Sequence, residues 1–201
     1  MKYILCYADE ALGEAWRRHF STHPDIGILG GDICRVECDA IVSPANSFGF
    51  MDGGLDHQIS ERFGWDLEKR VQSAIQSRPM RELLIGEAII VPTQDAKVPW
   101  LVVAPTMRVP MRIRGTINAY LAMKAILLAV REHLHGGAIG KVAIPGLGAG
   151  IGEFAPEVCA SQMWQAFREI VLEEHKYPSN FAEAQKMHLA LNRASMLLGQ
   201  E

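Results

Sequence analysis

The stretch DAIVSPANSFGFMDGGLD, residues 39–56, decides the fold. It opens with Asp39-Ala40-Ile41-Val42-Ser43, a nearly continuous apolar run. Such a run, without alternation, is the pattern of a strand buried on both faces. The chain then passes Pro44 and Asn46 into a loop carrying Asp52, Gly53, Gly54 and Asp56, and enters a helical pattern over Leu55–Phe63. A buried strand leading through a glycine-rich loop into a helix is a βα unit of an open α/β sheet. Ligands of such sheets bind outside the carboxyl ends of the strands, which gives this loop a privileged place. Gly53-Gly54 lets backbone approach a ligand closely, and the unpaired N–H groups at the helix start favour an anion.

Outward from this segment, short apolar runs alternate with longer helical patterns. The runs Tyr3–Tyr7, Ile26–Leu29, Glu87–Val91, Trp100–Ala104 and Val142–Ile144 read as further strands. Helices are expected over Glu10–His19, Trp65–Ser77, Thr116–Leu134 and Pro156–Glu174, with Gly136-Gly137 as a stop signal after the third. This alternation predicts an α/β fold with a mixed, largely parallel sheet. A last helix is expected from Asn180 to Leu198, where Phe181, Ala184, Met187, Leu191, Ala194 and Leu198 recur at spacings of three and four. Its stripe could cover one side of the sheet or pair with another subunit, and packing within the chain is the expectation. At 201 residues the sequence reads as one domain, with an added N-terminal βα unit and this C-terminal helix.

A second loop, Pro145 to Phe154, also joins a strand to a helix and places Gly146, Gly148, Gly150 and Gly152 at alternate positions. That spacing suits a cradle of backbone N–H donors for a diphosphate. It is not the dinucleotide fingerprint, whose third glycine would replace Ile151 or Glu153, and no Lys-Ser/Thr pair follows to make a P-loop. Gly150 is expected to need the positive φ that a β-branched side chain resists.

Bulk properties remove several classes. Net charge is −3 with mixed signs, unlike the basic balance of a general nucleic-acid binder. Arg108, Arg112 and Arg114 form a local basic cluster, read as a solvated loop. Cys6, Cys34, Cys38 and Cys159 show no CxxC pair or metal-ligand pattern, so a reducing cytoplasm is expected and no metal site. Cys159 is expected to be a buried, inert sulfur, and His133 with His135 to be structural or solvated. No apolar run approaches the roughly 20 residues a membrane span requires.

Taken together, Gly31-Asp32-Ile33, then Asp39 to Val42 with Asn46, then glycines and Asp56 in that order, resemble the macro domain family. Gly86-Glu87-Ala88 is similar to that family's segment before a strand, and Pro145 to Phe154 to its second phosphate loop. The similarity spans roughly Ile28 to Val171. It implies a three-layer α/β/α fold that binds ADP-ribose without a further cofactor. Asp32 would accept from the adenine amino group and the Ile33 backbone would lie along the base. Asn46 would meet the distal ribose, and backbone at Gly53, Gly54, Gly148, Ala149, Gly150 and Ile151 would hold the phosphates. In hydrolase members an acidic residue of the first loop orients or activates water, and Asp56 stands at that position. The sequence departs from the family where Ser43 replaces a common Asn and Pro44 a common Ala. It departs again at Gly152, where an aromatic usually faces the distal ribose; Phe154 is the nearest ring. The leading reading is an ADP-ribosyl hydrolase. The alternatives are a non-catalytic ADP-ribose reader, or a macro-type fold that binds RNA or a protein through Arg108, Arg112 and Arg114.

Overall fold

The computed structural model describes residues 1–133 and 139–197, with side chains in the last helix as far as Asn192. Six strands form one sheet: β1 (Lys2–Tyr7), β2 (Ile26–Gly30), β3 (Ala40–Ser43), β4 (Ile89–Pro92), β5 (Trp100–Val103) and β6 (Lys141–Pro145). Their order is β2-β1-β6-β3-β5-β4. All neighbours run parallel except β4 against β5, where Ile89 faces Val103 and Pro92 faces Trp100. Pro92 is tolerated because β4 is an edge strand, where a missing N–H breaks no ladder.

Helices cover both faces. α1 (Glu10–Phe20), α4 (Asn118–Glu132) and α5 (Pro156–Ile170) bury Trp16, Phe20, Met123 and Phe167 with Leu5, Val42, Val102 and Val142 of the sheet. α2 (Gly54–Phe63) and α3 (Asp66–Gln76) bury Ile59, Leu67, Val71 and Ile75 with Ile41, Leu101 and Ala143. Adjacent residues Ile41 and Val42 thus serve opposite cores, as the period-2 strand requires. The result is the expected three-layer α/β/α arrangement. α6 (Phe181–Leu197) lies outside these layers against α5.

Element ends show where local signals yielded. The expected helix from Thr116 begins at Asn118, because the Thr116 hydroxyl accepts the Asn118 N–H at 3.3 Å and stays outside the helix. Its expected end at Leu134, the Gly136-Gly137 stop and His135 lie outside the described residues, as does Leu198 at the end of the last helix. α5 stops at Ile170, short of Glu174, with Glu173 at φ +57° and the Glu174 N–H turned back to the Arg168 carbonyl. A non-glycine residue took the left-handed position, so no glycine marked the stop. The stripe of α6 is only partly covered: Ala184 and Leu191 are half-buried, whereas Phe181 and Met187 are exposed. No helix among the described residues is long and apolar enough to cross a membrane.

Candidate functional site

The first loop is folded by its own asparagine. Asn46 Oδ1 accepts the N–H groups of Phe48 and Phe50 at 3.1 and 3.3 Å, and its Nδ2 donates to the Phe50 carbonyl at 2.8 Å. Side-chain bonds of this kind let Asn replace backbone partners in a turn. α3 then pins the loop, with Glu68 accepting from the Met51 N–H at 3.0 Å. Gly53 is the extended residue before α2 and Gly54 takes φ +56° at the helix start, where no side chain caps the N–H groups. These donors stay available to a ligand.

Asp56 lies in the first turn of α2 and is buried, 8% exposed. Its Oδ1 accepts the Ser43 hydroxyl at 2.6 Å. Burial pushes the carboxyl up to about 6, against the opposing pull of the Ser43 hydrogen bond. Burial disfavours the charged form and a donor favours it, and here burial prevails.

The second loop depends on packing from a distant segment. Gly148 takes φ +75°, and a Cβ there would lie 2.8 Å from Ile113 Cδ1 and 2.9 Å from Phe154 Cδ2. Gly150 does not take positive φ and has open space where a Cβ would stand, so the expected strain belongs to Gly148 instead. At Gly152 a Cβ would lie 2.6 Å from the Gly148 carbonyl and 2.8 Å from Ile113 Cγ1, which leaves no room for an aromatic side chain. The Ile113 N–H donates to the Gly152 carbonyl at 3.0 Å. On either side of it, Arg112 and Arg114 close on Glu153 at 2.9 and 2.6 Å. Arg108 pairs with Glu82 at 2.8 Å. The basic cluster read as a solvated loop is exposed, but it is a clasp of ion pairs rather than free charge.

One cleft lies between the loops, at the carboxyl ends of β3 and β6. The structure brings Asn46, Gly53, Gly54, Asp56, Gly148, Gly150, Ile151 and Gly152 into its lining. Ile151 leans across it, with Cδ1 3.7 Å from where a Gly54 Cβ would stand. Four other candidates lie outside this lining. Phe154 is buried beneath Gly148, and Ala149 is half-buried against the α1–α4–α5 core. Ile33 is buried under the α2 side, and Asp32 lines a separate hollow with Gly31 and Arg35 while accepting the Cys34 N–H at 2.9 Å. Sequence reasoning missed Phe50, Thr106, Met107 and Pro110, which complete the walls. The signal for three of them was positional: they follow β5, a parallel neighbour of β3 that opens at the same end. Cys159 is fully buried, with its thiol pushed up to about 12 by burial and donating to the Leu147 carbonyl at 3.4 Å, as expected of an inert sulfur.

Fold and cleft define a three-layer α/β/α protein with two glycine-rich loops at its strand ends. The chain belongs to the macro domain family, whose model matches residues 42–163. A protein of Aquifex aeolicus is 33% identical over 146 residues, covering 72% of this chain and 82% of the relative. The macrodomain of Mycobacterium tuberculosis DarG shares the fold at TM-score 0.58 and 23% identity, over 69% of this chain and 87% of its own. A Trypanosoma brucei macrodomain in complex with ADP-ribose shares it at TM-score 0.54 and 18% identity, over 72% of this chain and 56% of its own.

Proposed function

We propose that this chain binds ADP-ribose, or a closely related nucleotide diphosphate, across the cleft and hydrolyses ADP-ribosyl conjugates in the cytoplasm. The observation that carries the reading is Asp56: a buried carboxylate, raised to about 6, in the wall between two loops of exposed N–H donors. The uncapped start of α2 and the backbone from Gly148 to Ile151 are suited to the two phosphates. Asp32 and Ile33 would take the adenine end, and Asn46 the distal ribose. A water held by Asp56 would give its proton to the carboxylate as its oxygen bonds to the anomeric carbon. The bond from that carbon to the carrier breaks, and its electron pair leaves with the carrier. A base poised near 6 is ionised at neutral pH and stronger than an ordinary carboxylate; such acid–base assistance contributes about 10²–10⁴-fold. The ADP-ribose complex of the Trypanosoma brucei macrodomain supports the choice of ligand through the shared fold. We read residues 1–201 as one domain. That reading is supported by β1, which lies between β2 and β6 in the same sheet.

A reader that binds without turnover is the second reading. It is favoured by Gly152, which has no room for a ring against the ribose, and by Asn46, whose carbonyl and amide ends both serve the loop. Single-turnover release of ADP-ribose from protein, nucleic-acid and small-molecule conjugates, measured beside calorimetric binding, separates the two. Hydrolysis predicts release by the wild type and at least about a tenfold loss in Asp56→Asn with affinity little changed. Binding without release from any conjugate establishes the reader.

A further inference from the structure

The carboxylate at the head of α2 is held by the strand beneath it. Ser43 ends β3 and, two residues beyond Ile41, turns to the same face of the sheet as α2. It is 1% exposed. Its hydroxyl has one proton to give, and the acceptor is Asp56 Oδ1 at 2.6 Å rather than a backbone carbonyl. Among the described residues the Asp56 side chain has no other hydrogen-bond partner.

No cation among the described residues shares this duty. The second loop faces Asp56 with glycine backbone, and Glu153 beyond it is occupied by Arg112 and Arg114. His57, the next residue of α2, turns to Glu61 at 3.6 Å and to the Trp65 ring. Asp52 lines the same cleft and carries the same sign of charge. On the β5 side the walls are Thr106 and Met107, both neutral. Ser43 is therefore the donor set against the burial of Asp56.

We propose that Ser43 is a positioning residue: its buried hydroxyl fixes one oxygen of Asp56, keeping the carboxylate ionised and in one rotamer, and leaves the other oxygen for water at the ligand. The inference rests on the hydrolase reading of the cleft. A hydrogen bond to the ionised form favours that form. Removing it raises the pH at which Asp56 becomes a competent base, whereas a merely structural loss slows release equally at every pH.

The test compares wild type, Ser43→Ala and Ser43→Thr by single-turnover release of ADP-ribose between about pH 5 and about pH 8. It is paired with carbon NMR titration of the Asp56 carboxyl in the free protein, assigned through Asp56→Asn. Ser43→Ala is expected to move both midpoints upward by about one pH unit, which lowers release about fivefold near pH 6 and little near pH 8. Ser43→Thr, which keeps the donor, is expected to restore the wild-type midpoints. An Ala variant with unmoved midpoints overturns the proposal. The titration needs no turnover, so it decides the role of Ser43 even if the wild type releases nothing, a result that would sink the hydrolase reading alone.

Discussion

Asp56 carries two opposing contributions, and their sizes decide how it affects stability. A carboxylate in a helix's first turn gains about 0.3–1 kcal/mol from the N-terminal dipole. Burial raises its folded-state carboxyl to about 6, above the unfolded value. The folded protein therefore holds the proton more tightly, and stability falls as pH rises from the ordinary carboxylate range through about 6, by about 3 kcal/mol in all. Burial wins. Asp56→Asn is accordingly expected to melt higher than wild type near pH 7.5, with the difference closing near pH 4, as thermal unfolding across pH would show. A lower melting temperature at neutral pH would mean that the dipole prevails. The glycines of the second loop give a paired prediction. Gly148→Ala forces a side chain into positive φ and against Ile113, for a loss of about 2 kcal/mol in denaturant unfolding. Gly150→Val meets open space, so it should abolish ADP-ribose binding at nearly wild-type stability. Equal stability losses in the two would show that the loop relaxes freely. The glycines and Asp56 were legible as sequence. Which glycine is strained was not, because Ile113 decides it from a different part of the chain, and the Ser43 bond was hidden because only the fold brings the end of β3 to α2.

Among the elements, Ile117 gives α4 no side-chain acceptor at its N-cap, and the Thr116 hydroxyl before it takes the Asn118 N–H alone. Gln162 of α5 supplies one: its carbonyl accepts the Tyr120 N–H at 3.3 Å, and its amide donates to the Thr116 and Leu191 carbonyls at 2.8 and 3.3 Å. One fully buried side chain thus joins α4, α5 and α6. Gln162→Leu keeps the volume and removes all three bonds, leaving the Tyr120 N–H and the Thr116 carbonyl without this partner, at a cost of about 1–3 kcal/mol. Amide hydrogen exchange should then show α6 losing protection before the sheet does; unchanged exchange in α6 would show that its apolar contacts alone hold it. The helices were easy to place because their stripes are long. Their ends were harder, since Glu173 stops α5 in a conformation usually given to glycine. The partial exposure of α6 was illegible for a related reason: a stripe shows which side is apolar and not how much of it finds a partner.

At the scale of the whole molecule, ligand and stability are linked. If ADP-ribose binds the folded chain alone, a concentration one hundred times Kd adds about 2.7 kcal/mol, or about 5–10 °C in a chain of this size. A thermal scan with millimolar ADP-ribose and with AMP measures it. The two-loop cleft predicts a clear shift for the first and a much smaller one for the second, and no shift with either would remove the nucleotide reading. The sheet was readable as α/β and mixed from alternation alone, but its order was not. Nothing local in Tyr3–Tyr7 shows that it pairs with both β2 and β6. That placement also bears on how the chain is made. Synthesis proceeds from the amino end, so β1 and β2 are made well before the strand for the other edge of β1, which begins only at Lys141. Until then the edge of β1 that faces β6 has no strand to pair with. The late arrival of β6, inserting between β1 and β3, closes that edge and joins the two glycine loops in the same event. A ribosome-bound chain cut short of Pro145 therefore has neither a finished sheet nor a cleft.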